Sequence, residues 1–452
     1  MKKNLSATFL LLAFFAIALS QQTWQCAAVH AEQMRETESP GYLDAVKKAF
    51  LTAKKNITDN PSRGATPDSI YRIRTVFHIV YTNSIENLPD SVIYSQVQVL
   101  NEDFRRRNPD AAKTRSIFSP FAADAGIEFV LADVDPDGNP TNGITRTKGN
   151  PPPSLFGGFN INDDVKQKSK GGVDPWPTDK YLNIWVCNLL GGFGVLGYAY
   201  PPAAPLPNWG NQNPNADSAR QGVVLYYRAV GRNNPHAIND ATDGGRSATH
   251  EIGHYLGLRH IWGDDQPLFG AGNKCANDQG GGSDGIDDTP DAKDATQQIC
   301  DTLQNSCPDP DMDMDYPDMT ENYMDYSSDD CQNLFTHGQV ALMREVLRLY
   351  RPGIFESVPN SISSTTTFRQ EFKINVYPNP ASQFLHVSFD DINLPVKATL
   401  LSSDGKKVFT EITDKSMLSI PLQTFSSGVY FLSVQCGGEQ ILRKVCVMSA
   451  GY

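Results

Sequence analysis

The sequence has few basic residues and no long apolar run beyond its first twenty positions. Its 39 Lys and Arg are outnumbered by 51 Asp and Glu, which gives a formal net charge of −12. This charge argues against a nucleic-acid backbone as the main partner. No later segment is apolar enough to span a bilayer, and no repeat occurs at the periods of solenoid proteins. We therefore exclude nucleic-acid binding, a transmembrane segment and a repeat architecture.

The N-terminus has the parts of a secretory signal peptide. Lys2 and Lys3 precede an apolar run over residues 9–19, and a small-residue cleavage site follows at residues 18–20. The run is too short to span a bilayer comfortably. We expect a signal peptide over residues 1–20 and a secreted protein, exported through the periplasm to the extracellular space or the outer cell surface.

The length of 452 residues predicts two or three domains. Residues 21–62, with one amphipathic helix near 42–55, are typical of a pro-segment. Strand-like runs such as YRIRTVFHIVY and YLNIWVCNL occur together with long helical patterns over 63–352, which indicates an α/β or α+β fold, and we expect an α+β domain with a mixed sheet there. A Ser/Thr-rich linker is expected over 353–370. Short alternating strands with turn signals predict a small all-β sandwich over 371–452.

The stretch THEIGHYLGLRH carries three of the eight histidines of the chain. In a helix, His250 and His254 are one turn apart, so both imidazoles can reach one metal ion. Glu251 lies beside them, where it can act on a water molecule. Gly257 can adopt the left-handed conformation that ends a helix, so that His260 becomes a third ligand. Three histidines with a fourth position open are typical of a catalytic zinc ion.

This stretch resembles the extended zinc motif of the metzincin metallopeptidases, His-Glu-x-x-His-x-x-Gly-x-x-His. ENYMDYSSDDC resembles their methionine turn, with Met324 beneath the metal. Together with GRSATHEIGHYLGLRHIWGD and GIDDTPD, these motifs resemble the pappalysin family over roughly residues 70–350. The resemblance implies a metzincin fold with zinc-binding and C-terminal helices, a zinc cofactor, and Glu251 as general base and acid. It also implies that Tyr326 donates a hydrogen bond to the oxyanion, whereas the alternative interpretation is a buried core aromatic.

The region from Asp264 to Asp330 is strongly acidic. The resemblance implies a structural calcium ion in the loop after the zinc helix, and residues 283–291 offer hard oxygen ligands. The candidate ligands are Asp284, Asp287, Asp288 and the backbone near Thr289. The alternative interpretation is a solvated acidic loop.

Four of the eight cysteines lie in this acidic region, and an exported protein permits disulfides. Spacing alone leaves three pairings open. The resemblance implies the pairs Cys275–Cys307 and Cys300–Cys331. Cys26 lies in the expected pro-segment, where its thiolate could occupy the fourth position of zinc and impose latency, while a lipid anchor or an idle thiol are the alternatives.

An acidic residue shortly after the methionine turn sets specificity in related family members. The matching residue is Asp329, which by this resemblance lies at the base of the pocket for the side chain just past the scissile bond. A carboxylate there favours Arg, and less strongly Lys. The alternative interpretation is one more solvated acid. The same rule predicts maturation at the Ser62–Arg63 bond.

The last eighty residues resemble a C-terminal sorting domain of the type IX secretion system, on the motifs VYPNPASQFLHVSF, SSDG and GVYFLSV. The resemblance implies export by that machinery; a sandwich that binds carbohydrate or protein is the alternative. The whole sequence predicts a secreted zinc endopeptidase acting on proteins and peptides. Two competing hypotheses are a surface adhesin on an inactive protease scaffold and a zinc-dependent amidase acting on non-peptide substrates.

Overall fold

The computed structural model describes most of the chain outside its first 24 residues. The described residues are 25–60, 69–154, 157–189, 194–205, 221–232, 234–239, 242–264, 275, 282–310, 312–359, 374–389, 396–402, 406–436 and 439–448. The expected signal peptide and the Ser62–Arg63 bond lie outside them. The chain divides into two compact units, Met1–Asn360 and Ser361–Tyr452. Within the described residues, no helix combines the length and apolarity needed to cross a bilayer.

The first unit contains a mixed eight-stranded sheet and five α-helices among its described residues. In chain order these are β1 (Gln25–Cys26), α1 (Ala28–Glu38), α2 (Tyr42–Asp59), β2 (Ser69–Tyr81), α3 (Asp90–Phe104), β3 (Ile127–Leu131), β4 (Ile144–Lys148), β5 (Leu182–Cys187), β6 (Val195–Ala199), β7 (Val223–Tyr226), α4 (Arg246–Tyr255), α5 (His337–Tyr350) and β8 (Phe355–Pro359). The strand order is β1-β6-β7-β5-β2-β3, and β4 and β8 also pair with β2. This arrangement confirms the expected mixed sheet with helices.

Strand β2 organises the sheet because its thirteen residues leave room for several partners. It pairs in parallel with β3, β4 and β5 and antiparallel with β8. Residues 355–359 of the range expected as a linker therefore form a strand of the first unit. They pair with residues 69–73 of β2, which would otherwise be unpaired on that edge. The Ser/Thr-rich composition downstream gives no indication of this strand.

Each face of the sheet packs against its own hydrophobic core. Strand side chains alternate between the two faces, so neighbouring residues of one strand belong to different cores. In β5, Ile184 and Val186 point to a core shared with helices α3, α4 and α5. The alternate residues Trp185 and Cys187 point to a second core on the opposite face. Strand β5 is therefore buried along its whole length, and all of its residues except Asn183 are apolar.

Residues 25–60, here called the N-terminal segment, pack into both cores. Phe50 and Ala53 of α2 belong to the first core, while Ala31 of α1 and Ala45 of α2 belong to the second. The expected helix near 42–55 is present and extends over Tyr42–Asp59. The segment had not been expected to join a core, because alanines give a weak apolar signal in the sequence.

The second unit is all-β, as expected. Its strands are β9 (Ile374–Tyr377), β10 (Phe384–Phe389), β11 (Val396–Ser402), β12 (Lys407–Thr413), β13 (Met417–Pro421), β14 (Gly428–Cys436) and β15 (Glu439–Val447). They form a three-stranded sheet β13-β10-β9 and a four-stranded sheet β12-β11-β14-β15. Buried residues of both sheets, such as Leu385 and Leu432, share one core.

Candidate metal centre and active site

Helix α4 carries the first two histidines of the zinc motif. His250 and His254 are buried and lie one turn apart, with ring centroids separated by 4.8 Å. The helix ends at Tyr255, and Gly257 follows with a φ of 92°, a conformation that side-chain-bearing residues rarely adopt. The chain reverses at this point and brings the His260 ring to 4.5 Å from that of His254.

The three histidines direct one nitrogen each at a common point. Their Nε2 atoms form a triangle with sides of 3.2 Å. The Nδ1 atoms of His250 and His254 lie 2.7 Å and 2.9 Å from the carbonyl oxygens of Tyr323 and Leu258. A carbonyl only accepts hydrogen bonds, so each Nδ1 carries the proton and each Nε2 carries a lone pair.

This donor set fits zinc. A tetrahedral ion bound about 2.0–2.1 Å from each nitrogen would separate the nitrogens by about 3.3–3.4 Å, close to the observed triangle. Burial lowers the pKa of His250 well below its ordinary value and that of His254 to about 3. Neutral imidazole is the form that binds a metal ion.

Cys26 lies close to the point at which the three histidine nitrogens converge. Its Sγ and the three histidine nitrogens all lie within 4.8 Å of one another, the candidate metal-binding cluster found among the described residues. The thiol donates to Oε2 of Glu251 at 3.4 Å. Residues of β1 pair in parallel with β6, which otherwise forms an edge of the sheet. The N-terminal segment therefore fills the cleft and covers Glu251.

Glu251 is fully enclosed beside the histidines. Burial raises its pKa to about 8, and the hydrogen bond from Cys26 acts in the opposite direction. Gly197 of β6 makes room for it, since a Cβ on that glycine would lie 2.8 Å from Cγ of Glu251. The carboxylate thus lies between the strand edge and the histidine cluster.

Tyr326 and Met324 lie on the turn that passes beneath the histidines. The Tyr326 ring is 4.9 Å from that of His260, and its hydroxyl donates to the carbonyl oxygen of Cys26 at 3.3 Å. Met324 is fully buried, and a Cβ on Gly253 of α4 would lie 2.4 Å from its sulfur. Met324 therefore supports the helix by packing, while Tyr326 faces the cleft.

Two residues that hold His260 in place were not identified from the sequence. Oδ1 of Asp264 lies 2.5 Å from Nδ1 of His260, and Trp262 stacks on the same ring with centroids 4.5 Å apart. The only available signal was an acid four residues after the third histidine. That signal was hidden because Asp264 opens a region with many other acids.

Asp329 lines a cavity of about 40 Å³ next to Glu251, together with Gln298 and Tyr326. Burial raises its pKa to about 7, although the nearby Arg246 lowers it. The backbone N–H of Arg246 donates to Oδ2 of Asp329 at 3.3 Å. Asp329 is therefore a buried carboxyl group at a cavity and does not belong to the solvated surface.

The Arg246 guanidinium donates its hydrogen bonds to acceptors other than this carboxyl group. It donates to both carboxylate oxygens of Asp110, at 2.7 Å and 2.8 Å, and to the carbonyl oxygen of Asp329. Asp103 lies 3.6 Å away and accepts hydrogen bonds from Thr249 and Tyr323. The arginine thus braces α4 and the pocket from behind.

Residues 283–291, here called the acidic loop, contain three buried side-chain oxygen atoms without a hydrogen-bond partner among the described residues. They are Oδ2 of Asp284, Oδ1 of Asp288 and the hydroxyl oxygen of Thr289, where the backbone near Thr289 had been expected to contribute. Burial raises the pKa of both carboxyl groups. Asp287 differs, since its side chain is 89% exposed and pairs with Lys54 of the N-terminal segment. Hard oxygen donors are the ligand type that calcium prefers, and Asp287 is not one of these buried donors.

Both disulfides implied by the resemblance are present in the structure. They join Cys275 to Cys307 and Cys300 to Cys331. Among the described residues Cys26 and Cys187 are buried free thiols. The two crosslinks hold a region whose described residues form no helix or strand.

Comparisons with known proteins agree with this geometry. Residues 164–348 match the peptidase family described as pregnancy-associated plasma protein-A. Promirolysin of Tannerella forsythia, solved as a mutant, is 39% identical with a TM-score of 0.56, covering 73% of this chain and 95% of that one. Mature mirolysin of the same organism, solved with a cleaved peptide, is 41% identical with a TM-score of 0.52, covering 64% and 99%.

Curated relatives include an extracellular metalloprotease of Arthroderma gypseum, 28% identical over 312 residues, or 68% of this chain and 83% of that protein. Residues 375–448 match the secretion system C-terminal sorting domain. The chain therefore belongs to the pappalysin family of metallopeptidases. It is a secreted zinc metalloendopeptidase that carries a type IX sorting domain.

Proposed function

We propose that His250, His254 and His260 bind a single zinc ion at which this enzyme hydrolyses peptide bonds. The main support for this proposal is the triangle of Nε2 atoms with sides of 3.2 Å. Each Nδ1 has a hydrogen-bond acceptor as its partner, so each Nε2 has a lone pair available for a metal ion. Three neutral imidazoles leave a fourth position for water or substrate, the composition of a catalytic zinc site. Zinc, when bound, supplies the Lewis acidity that polarises the scissile carbonyl and acidifies the attacking water.

The protein's own groups move the protons. Glu251 lies beside the cluster and takes a proton from the attacking water, then passes it to the leaving amine. Once the N-terminal segment has left, the Tyr326 hydroxyl no longer donates to the Cys26 carbonyl oxygen and is free to donate to the developing oxyanion. The vacated edge of β6 then accepts an extended peptide by strand addition.

The N-terminal segment is a pro-segment that imposes latency through Cys26. Three features of Cys26 support this proposal. Its Sγ lies close to the three histidine nitrogens, its thiol donates a hydrogen bond to Glu251, and its carbonyl oxygen accepts the hydrogen bond of the Tyr326 hydroxyl. One residue thus engages every group assigned to the chemistry. The Ser62–Arg63 bond remains the expected maturation site.

Substrate choice depends on Asp329, which favours Arg and then Lys just after the scissile bond. The proposal rests on a buried carboxyl group at the cavity beside Glu251, with Arg246 already paired to Asp110. A guanidinium entering this cavity could pair with Asp329 through two N–H groups, whereas Lys offers a point charge.

Two further parts complete the proposal. Asp284, Asp288 and Thr289 hold a structural calcium ion, because their buried oxygens otherwise lack partners among the described residues. The C-terminal unit is the part recognised by the secretion machinery, in keeping with its match to a sorting domain.

The deciding experiment separates metal binding from proton transfer. Glu251→Gln should keep about one zinc per chain, while its kcat/KM for a peptide should fall by about 10²–10⁴-fold. His254→Ala should lose the zinc as well as the activity. Full zinc occupancy in His254→Ala, or normal turnover by Glu251→Gln, would overturn the assignment.

A further inference from the structure

Helix α2 lies on a surface that does not include the metal centre. We define the helix-docking surface by six residues that contact α2, namely Pro201, Ala204, Arg259, Gly285, Asp287 and Glu345. Neither Cys26 nor any of the three histidines makes these contacts. The N-terminal segment is thus held in two separate places.

The apolar part of this contact follows one face of α2. Tyr42, Ala45, Ala49 and Ala53 recur at helical spacing and are almost completely buried. Phe50 packs beside them, with the Arg259 guanidinium 4.8 Å from its ring centroid. Leu51, on the other side of the helix, is 53% exposed. The surface therefore accepts an amphipathic helix whose contact face is small and apolar.

Polar contacts fix the position of the helix along its length. Near its start, the Tyr42 hydroxyl donates to the carbonyl oxygen of Pro201 at 3.3 Å, and the N–H of Ala204 donates to the carbonyl oxygen of Ala45 at 2.9 Å. Near its end, Lys54 donates to the carbonyl oxygen of Gly285 at 2.6 Å. These contacts define one register and one direction for the bound helix.

Charge also favours this occupant. Lys54 lies 2.8 Å from the carboxylate of Asp287, in the acidic region that contains eighteen acids and two lysines between residues 264 and 330. Asn56 donates to Oε1 of Glu345 on α5 at 3.1 Å. The cationic Lys54 therefore complements the acidic residue that it contacts.

We propose that the helix-docking surface retains the N-terminal segment without a covalent connection, so that the severed segment stays bound to the mature enzyme as an inhibitor in trans. The occupant is the segment of this chain that contains α2. Cleavage between α2 and β2 is then insufficient for full activity, which also requires dissociation or destruction of the segment. This inference deepens the proposed latency, but it does not depend on the thiol.

Retention is tested in the full-length chain with a specific protease site placed within residues 61–68 and with Glu251→Ala to prevent self-digestion. After the cut, the segment should co-elute with the enzyme in gel filtration. It should do so in Cys26→Ser as well, because α2 does not use the thiol. Separate elution from the cut Cys26→Ser chain would overturn the proposal.

The contact face is tested with synthetic peptides of residues 21–60 added to matured enzyme. Cys26→Ser peptide should bind the Glu251→Ala enzyme and inhibit the active one. Adding Ala53→Glu should weaken binding at least 100-fold, because a charge would replace a buried methyl group. The matched control Leu51→Glu adds the same charge on the exposed side and should change binding less than threefold. Equal losses in the two would overturn the proposal.

The same peptides distinguish the two claims about this segment. If parent and Cys26→Ser peptides inhibit equally, the proposed thiol latency fails and the docking proposal stands. If the parent peptide inhibits while Cys26→Ser neither binds nor inhibits, the docking proposal fails and the thiol latency stands.

Discussion

Asp264 and His260 are joined by a contact of 2.5 Å between Oδ1 and Nδ1. Burial tends to raise the pKa of Asp264, but His260, with smaller contributions from His254 and Arg259, outweighs it and the pKa is lowered. The carboxylate therefore fixes the tautomer of His260 and directs its Nε2 toward the other two histidines. Of the three proposed zinc ligands, His260 is the one outside α4, so its orientation depends on this partner.

Asp264→Asn should weaken zinc binding by about 10- to 100-fold, the usual effect of losing a carboxylate behind a ligating histidine. The measurement is zinc retention during titration with a chelator, with kcat determined in excess zinc. Asp330→Asn removes an exposed acid of the same region and serves as the control. Unchanged retention in Asp264→Asn would show that Trp262 stacking alone orients the ring.

The preference for Arg after the cut should depend on pH through Asp329. Its pKa is raised to about 7 by burial, so the carboxyl group becomes neutral as the pH falls below that value. The ratio of kcat/KM for Arg over Leu peptides should therefore decline on the acidic side, with a midpoint at or below about 7, since kcat/KM reports the free enzyme.

Asp329→Asn should remove both the Arg preference and this pH dependence while Leu peptides are still cleaved. Asp330→Asn is again the matched control, because it deletes the neighbouring exposed charge. A parent enzyme without preference for Arg, or an Asp329→Asn variant that retains it, would exclude the pocket assignment.

Calcium should stabilise the first unit through the acidic loop. At about 100 times its Kd, calcium adds about 2.7 kcal/mol to the free energy of unfolding, which corresponds to a rise in Tm of roughly 5 °C. Asp284→Asn should abolish this rise, and Asp294→Asn, an exposed acid outside the three grouped residues, should preserve it. Identical Tm values with calcium and with chelator in the parent would contradict the site.

Cys26→Ala should shorten latency. The variant loses the thiol beside the histidines and Glu251, so the uncut protein should show measurable peptidase activity and should mature faster than the parent. Cys446→Ala, in the second unit, is the control for a general effect of removing a thiol. If Cys26→Ala matures no faster, Cys26 is not the element that blocks the site.

Spacing alone predicted the parts of the site whose members are close along the chain. His250, Glu251 and His254 lie within five consecutive residues of one helix. Gly257 and His260 follow within the next six residues. Cys26 differs, since 225 residues separate it from Glu251, its hydrogen-bond partner. No spacing rule reaches that far, and only the paired strands β1 and β6 bring the two together.

The fold was predictable where the apolar pattern was strong. β2 and β5 are buried and rich in β-branched and aromatic residues, so they were recognised, whereas the five-residue β6 was not. Its sequence VLGYA includes Gly197, which weakens a strand signal. That glycine is present because Glu251 needs the space, so a functional requirement conceals the structural one.

The Cys300–Cys331 crosslink has a consequence for where this enzyme can become selective. Gln298 and Asp329, which line the cavity beside Glu251, each lie two residues before one of the bonded cysteines. The two walls of that cavity are thus clamped together only in an oxidised chain, and disulfides persist outside the reducing cytosol. Inside the reducing cytosol the chain lacks this clamp, so the cavity that we propose to select Arg is held together only after export.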